Sequence, residues 1–223
     1  MGGLGPLLAA LIVTRLVNES VRAWAKSILR WRVPVRYYVY ALGLPVVIYG
    51  FINLILALLG LAVDPSLVAQ RAPAYLTTFG FVAILGGGLE EPGWRGFALP
   101  HLQRKHSALA ATAIVGLVWG VWHVPLYGPL GFGVPFVLAF FYTWVYNKTG
   151  SVLLCILLHA SFTPAQDHLL LLREGVPAGD HLGTVDWVVF SSYVLAAGLL
   201  VLATRGRLGK SVDLVAPRRP NTP

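Results

Sequence analysis

Residues 37–63 form a run of twenty-seven without one charged side chain. That is longer than the ~20 apolar residues an α-helix needs to cross a bilayer, so the run predicts a transmembrane helix, tilted or bent near Pro45. Hydrocarbon satisfies no backbone polar group, which restricts a spanning chain to helices or a closed barrel. The remainder of the sequence repeats the helical choice in further apolar runs. Only 12% of its 223 residues are charged and the mean hydropathy is +0.71, against about 25% charged residues in soluble chains. The expected fold is all-α, a polytopic integral membrane helix bundle of about seven transmembrane spans enclosing an intramembrane polar cavity.

Residues 1–14 are uncharged but too short for a full span, and they lack a basic leader and a small-residue cleavage site. They read as a short or truncated first span, not a signal peptide. Residues 15–36 hold six basic residues against one acid, Glu19, and read as an amphipathic surface segment. After a polar loop at 64–73, the third span starts at 74–89. It is expected to run helically to about Leu102, distorted by the glycines at 86, 87 and 88 and by Pro92-Gly93, as is tolerated where backbone lines a protein cavity. Further spans are expected at 108–122, 134–146, 151–172 and 187–203, with a polar loop at 173–186. Residues 1–203 thus form a single domain with a motif-bearing core at 74–172, and 204–223 a basic, disordered cytoplasmic tail.

Counting Lys and Arg on alternate sides of these spans gives fourteen on one side and two on the other, with Arg95 left in the core. By the positive-inside rule this predicts a multi-pass protein of the cell membrane, N-terminus outside and C-terminus cytoplasmic. The net charge of +8 is carried beside the spans, so it is assigned to topology and anionic lipid, with the bilayer as partner and no nucleic acid. The one cysteine, Cys155, permits no disulfide within the chain and reads as a small buried side chain. No sequence feature specifies an oligomeric state.

Into this apolar frame the stretch Gly86-Gly87-Gly88-Leu89-Glu90-Glu91-Pro92-Gly93-Trp94-Arg95-Gly96 brings three formal charges. Sixteen uncharged residues lead into the pair of carboxylates, and ionisable groups inside a membrane are functional candidates by default. Glu91 and Arg95 stand four apart on a helix, acid first, the favourable order for an ion pair. Glu90 is left as the unpaired carboxylate. Helical rise puts Glu90 and His123 at similar depths, roughly 21 to 26 Å from their shared turn, and His159 about 14 Å from a turn on the same face. Desolvation favours the protonated form of a carboxyl group and so suits a buried glutamate to take a proton from water. Glu90 is then a candidate general base, with His123 and His159 orienting the water or holding an oxyanion. The same three side chains alternatively make a two-His, one-carboxylate set for a catalytic zinc ion, and two histidines alone would suit a haem. The bland readings are structural. They make Glu91–Arg95 a brace, Trp94 and Trp119 packing residues or a wall of the pocket, and His101, His106, His168 and His181 turn or loop residues.

The trio of motifs resembles a known family. Glu90-Glu91-Pro92-Gly93-Trp94-Arg95 is similar to the EExxxR motif of the CPBP intramembrane proteases, the CAAX-protease and bacteriocin-processing group. Trp119-Gly-Val-Trp-His123 is similar to its second motif, and His159-Ala-Ser-Phe-Thr163 to its third, HxxxN, with threonine at the asparagine position. The resemblance implies an intramembrane endopeptidase acting on a membrane-associated polypeptide, with a glutamate-activated water and no cofactor or, alternatively, with one zinc ion at Glu90, His123 and His159. It makes Glu90 the catalytic glutamate, supported by Glu91 and Arg95, with His123 positioning water and His159 and Thr163 stabilising the oxyanion. The alternative is a catalytically silent relative that binds or scaffolds membrane proteins, for which Thr163 is the sequence hint.

Overall fold

The computed structural model describes residues 3–173 and 178–210, and among these it is built from helices. The order is α1 (Leu4–Leu16), α2 (Val21–Ile28), α3 (Val35–Leu58), α4 (Leu67–Ile84), a broken segment, α7 (Ala108–Tyr127), α8 (Gly133–Thr149), α9 (Val152–His168) and α10 (Ala178–Ala203). The broken segment carries a 3₁₀ turn (Gly87–Glu90), a single helical turn α5 (Glu91–Gly93), a π turn (Trp94–Ala98) and α6 (Leu99–Leu102). Four of the described helical segments are long and apolar enough to cross a membrane: Val35–Leu58, Leu67–Leu102, Ala108–Tyr127 and Gly183–Ala203. Helices α8 and α9 have 17 residues each, about 25 Å of rise against a hydrocarbon core of about 30 Å, and α1 is shorter still.

Several boundaries differ from expectation for identifiable reasons. Helix α4 begins at Leu67, inside the stretch expected to be a loop, and carries Pro73 within it. Arg71 made that stretch look polar, but its guanidinium donates to the carbonyls of Leu170 (2.7 Å) and Leu172 (3.3 Å), so the charge is satisfied on a helix. The third span does not run through to Leu102 as one rod. Residues 85–86 leave helical geometry and the chain restarts as a 3₁₀ turn, because the backbone there is pressed on its own preceding helix. A Cβ at Gly86 would lie 2.9 Å from the Cα of Val82, and one at Gly88 2.7 Å from its carbonyl oxygen. Helix α7 continues past His123 to Tyr127, with Pro125 in its last turn. Helix α10 starts at Ala178, within the expected polar loop. The tail expected to be disordered from Thr204 is packed through residue 210: Leu208 is buried, its carbonyl accepts from Asn147 Nδ2 (2.9 Å), and Lys210 Nζ donates to the Gln103 carbonyl (2.6 Å). Residues 211–223 lie outside the described part.

The core is organised around α9, of whose residues Val152, Leu154, Cys155, Leu158, Ala160, Phe162 and Ala165 are all buried. Tyr49, Ile52 and Leu56 of α3, Phe141 and Tyr142 of α8 and Tyr193 of α10 pack into the same cluster. Asn53 ties one end: its amide donates to the carbonyls of Tyr49 and Leu169, and its oxygen accepts from the Leu171 N–H. On the other side α1 lies against the broken segment. Contact between backbones is allowed there by glycine, since a Cβ on Gly3 would strike the Gly86 carbonyl and one on Gly93 would strike Pro6. Trp24 of α2 pins the same segment by donating its indole N–H to the Pro92 carbonyl at 3.0 Å.

Candidate active site

The helix restart puts Glu90 and Glu91 on successive positions facing different neighbours, and both are buried, at 3% and 0% exposure. Glu91 is the structural anchor. Arg95 Nη1 donates to both of its oxygens at 3.0 Å, as the spacing of four predicts. Its Oε1 also receives Nδ1 of His159 at 2.9 Å. A carboxylate can only accept, so His159 carries its proton on Nδ1 and its Nε2 is left to face outward from the pair. That nitrogen looks at Gly87, where a Cβ would collide with it.

Arg95 is fully buried and has no second acid. Its guanidinium lies 4.2 Å from the ring centre of Trp119 and 4.4 Å from that of Tyr142. Two aromatic faces thus take up charge that one carboxylate would otherwise carry alone. Nε and Nη2 of Arg95 and the hydroxyl of Tyr142 make no hydrogen bond among the described residues.

Glu90 makes no ion pair among the described residues; its partners are indoles. Trp119 Nε1 donates to Oε2 at 2.7 Å, Trp94 Nε1 to the same oxygen at 3.4 Å, and Trp122 Nε1 to Oε1 at 3.3 Å. An indole N–H is a donor without charge, and its ring suits apolar surroundings, so the cage can hold an anion where an ammonium or guanidinium would be costly. A carboxylate offers about four acceptor positions; with two used on Oε2 and one on Oε1, the position remaining is on Oε1. Trp122 is 36% exposed and half covers that side, with Gly5 of α1 against its ring edge.

The two histidines flank Trp119. Trp119 stands with its ring centre 5.6 Å from His123 and 5.6 Å from His159, both edge-on. His123 donates Nδ1–H to the Trp119 carbonyl (2.9 Å), leaving Nε2 as an acceptor, and stacks on Tyr127. Thr163 donates its hydroxyl to the His159 carbonyl one turn back (3.2 Å). The six residues singled out in the sequence therefore gather in one region, with Thr163 spending its proton within its own helix. Trp94 and Trp119, expected as packing residues or a wall of the pocket, and Trp122 with them, are direct partners of Glu90. The spacing of Trp94, four after Glu90, was the available signal; Trp119 and Trp122 come from another helix. No three His, Cys, Asp or Glu side chains converge as metal ligands would among the described residues. Of the alternative zinc set Glu90, His123 and His159, the glutamate oxygens are turned to indoles, while both histidines bond within the protein through Nδ1 and keep Nε2 as the nitrogen a metal would use.

Comparison with known proteins agrees with the motifs. Residues 72–163, which contain all six site residues, match the family model described as type II CAAX prenyl endopeptidase Rce1-like. A stretch of 46 residues is 41% identical to CAAX prenyl protease 2 of Methanococcus maripaludis, and it covers 21% of this chain and 17% of that protein.

Proposed function

From the Rce1-like sequence of residues 72–163, which bears out the resemblance to the CPBP proteases, we propose that this polytopic membrane protein is an intramembrane endopeptidase. Its substrate is a membrane-associated polypeptide, hydrolysed by a water molecule that Glu90 activates. The observation that carries the reading is a buried carboxylate held by neutral donors, with an acceptor position left open and two imidazoles packed against Trp119, the donor nearest to it.

In this mechanism a water molecule donates one hydrogen bond to Glu90 Oε1 and another to Nε2 of His123. Glu90 takes a proton as the water oxygen adds to the scissile carbonyl carbon. The carbonyl oxygen becomes an oxyanion, which His159 stabilises by donating from Nε2 a second proton taken up from bulk water, while Glu91 holds Nδ1–H. Glu90 then gives its proton to the amide nitrogen, the C–N bond breaks as the oxyanion re-forms the carbonyl, and the second water proton passes through His123 to the departing amine, so that carboxylate and ammonium products leave. Thr163 adds a second donor to the oxyanion when its hydroxyl leaves the His159 carbonyl. Arg95 and Glu91 act through His159 and Trp119 and are positioning residues.

Cleavage of a panel of membrane-tethered peptides by the purified protein in liposomes, with and without Glu90→Gln, tests the proposal. Cleavage by the wild type alone is expected. Equal cleavage by both would remove Glu90 from the chemistry. A folded wild type inert towards the panel, yet binding the peptides as its Glu90→Gln, His159→Ala variant does, would leave the scaffold reading, which the internal bonding of Thr163 favours.

A further inference from the structure

Helix α2 presents a second constellation, separate from the glutamates. Its N-terminus is capped by Ser20, whose side chain accepts from the Ala23 N–H, and Trp24 fixes its inner face to the Pro92 carbonyl. The chain leaving α2 is pinned to the turn between α8 and α9, because the Ser151 hydroxyl donates to the Arg30 carbonyl at 2.6 Å. Between these anchors lies a cavity of about 430 Å³ lined by Ala23, Lys26, Ser27, Arg30, Arg32 and Gly150, among others. Gly150 has a φ of +62°, and a Cβ there would sit 3.0 Å from Arg30 Nη1, so the missing side chain leaves room for the guanidinium.

Three cationic side chains border this cavity and no acid does. Lys26, Arg30 and Arg32 make no side-chain hydrogen bond and no ion pair among the described residues. The nearest acid in sequence, Glu19, is already held by Arg104 (2.9 Å) and His101 (3.1 Å). Arg32 lies over Trp31, its Cζ 5.1 Å from the ring centre, and Trp31 is 62% exposed. An exposed tryptophan beside basic residues is the composition of a membrane interface, and guanidinium forks match phosphate oxygens. The cavity has room for a phosphate group.

We propose that the cleft between α2 and the α8–α9 turn binds a phosphate-bearing anion, supplied by the headgroup of an anionic lipid or by free phosphate. The site stands apart from Glu90 and does not depend on the hydrolytic reading. The full chain is placed in nanodiscs of zwitterionic lipid doped with phosphatidylglycerol, and retained lipid is measured by native mass spectrometry. Three proteins are compared: wild type, Lys26→Gln/Arg32→Gln, and the charge-matched control Arg15→Gln/Arg22→Gln from the same basic segment. The expected result is a phosphatidylglycerol adduct on the wild type and control that is lost from the cleft variant. Adding inorganic phosphate to the doped discs separates the sources: a phosphate adduct that displaces phosphatidylglycerol assigns the site to free phosphate, and retention of phosphatidylglycerol assigns it to the headgroup. Equal loss in the cleft variant and the control would mean diffuse attraction by net charge and would overturn the proposal. So would an adduct that survives in the cleft variant, or none in either arm.

Discussion

Removing the charge of Glu91 while keeping its shape, as Glu91→Gln, leaves Arg95 a fully buried cation with no acid. Arg95 already has two nitrogens without a hydrogen bond among the described residues. Breaking one side of a buried pair costs about 3–5 kcal/mol because the stranded charge cannot return to water. The aromatic faces of Trp119 and Tyr142 place this case toward the lower end, since a desolvated cation–π contact is worth ~2 kcal/mol. For a chain of this size each kcal/mol moves the melting temperature by roughly 2–4 °C, so a fall on the order of 10 °C is expected. The protein carries its own reporter: Cys155 is the single cysteine and is fully buried, so a thiol-reactive fluorophore added during heating reads unfolding directly. The double variant Glu91→Leu, Arg95→Met removes both charges and is expected to recover most of the loss, as buried pairs replaced by apolar residues commonly do. It should remain inactive, because His159 has lost the acceptor of its Nδ1 proton. A Glu91→Gln protein that melts with the wild type, or a double variant less stable than the single one, would refute this account of the charges.

Trp119→Phe keeps a ring over Arg95 but deletes the 2.7 Å donor to Glu90; a hydrogen bond to a charged group is worth about 1.5–3 kcal/mol, and kcat is expected to fall roughly ten- to hundredfold with little change in KM. Gly87→Ala pushes a methyl group into His159 Nε2, and a displaced catalytic group commonly costs about a hundredfold, so turnover should drop far more than the Cys155 melting temperature. Arg104, through its hydrogen bond, holds the Glu19 carboxyl below the ordinary carboxylate range. The native state therefore binds that proton less readily than the unfolded chain does, and the stabilisation from Glu19 is present at neutral pH and lost as pH falls through the lowered value. Melting curves of wild type and Glu19→Gln are expected to differ at neutral pH and converge in acid.

Much of the frame could be read from residue order because the bilayer leaves few alternatives. The uncharged run at 37–63 became α3 as far as Leu58, with residues 59–63 outside the helix, and the spacing of Glu91 and Arg95 became the buried pair. The partners of Glu90 were harder to read. Trp119 and Trp122 lie 29 and 32 residues away on α7, and a tryptophan in an apolar helix looks the same whether its N–H meets a carboxylate or lipid. Arg71 misled in the opposite direction, since a charge that reads as loop is satisfied by carbonyls some hundred residues on. The second role of Glu91, fixing the proton of His159, follows from contact between α5 and α9 and leaves no local mark in the sequence.

Trp119 touches Glu90, Arg95, Tyr142, His123 and His159 at once. Residues that share one partner do not vary independently, and the effects of paired changes among them will fail to add. Sequence drift in this pocket is therefore channelled. A change at one of these positions alters which changes are tolerated at the others, and new specificities are more accessible from the rim, at Trp122 and Tyr127, than from the hub.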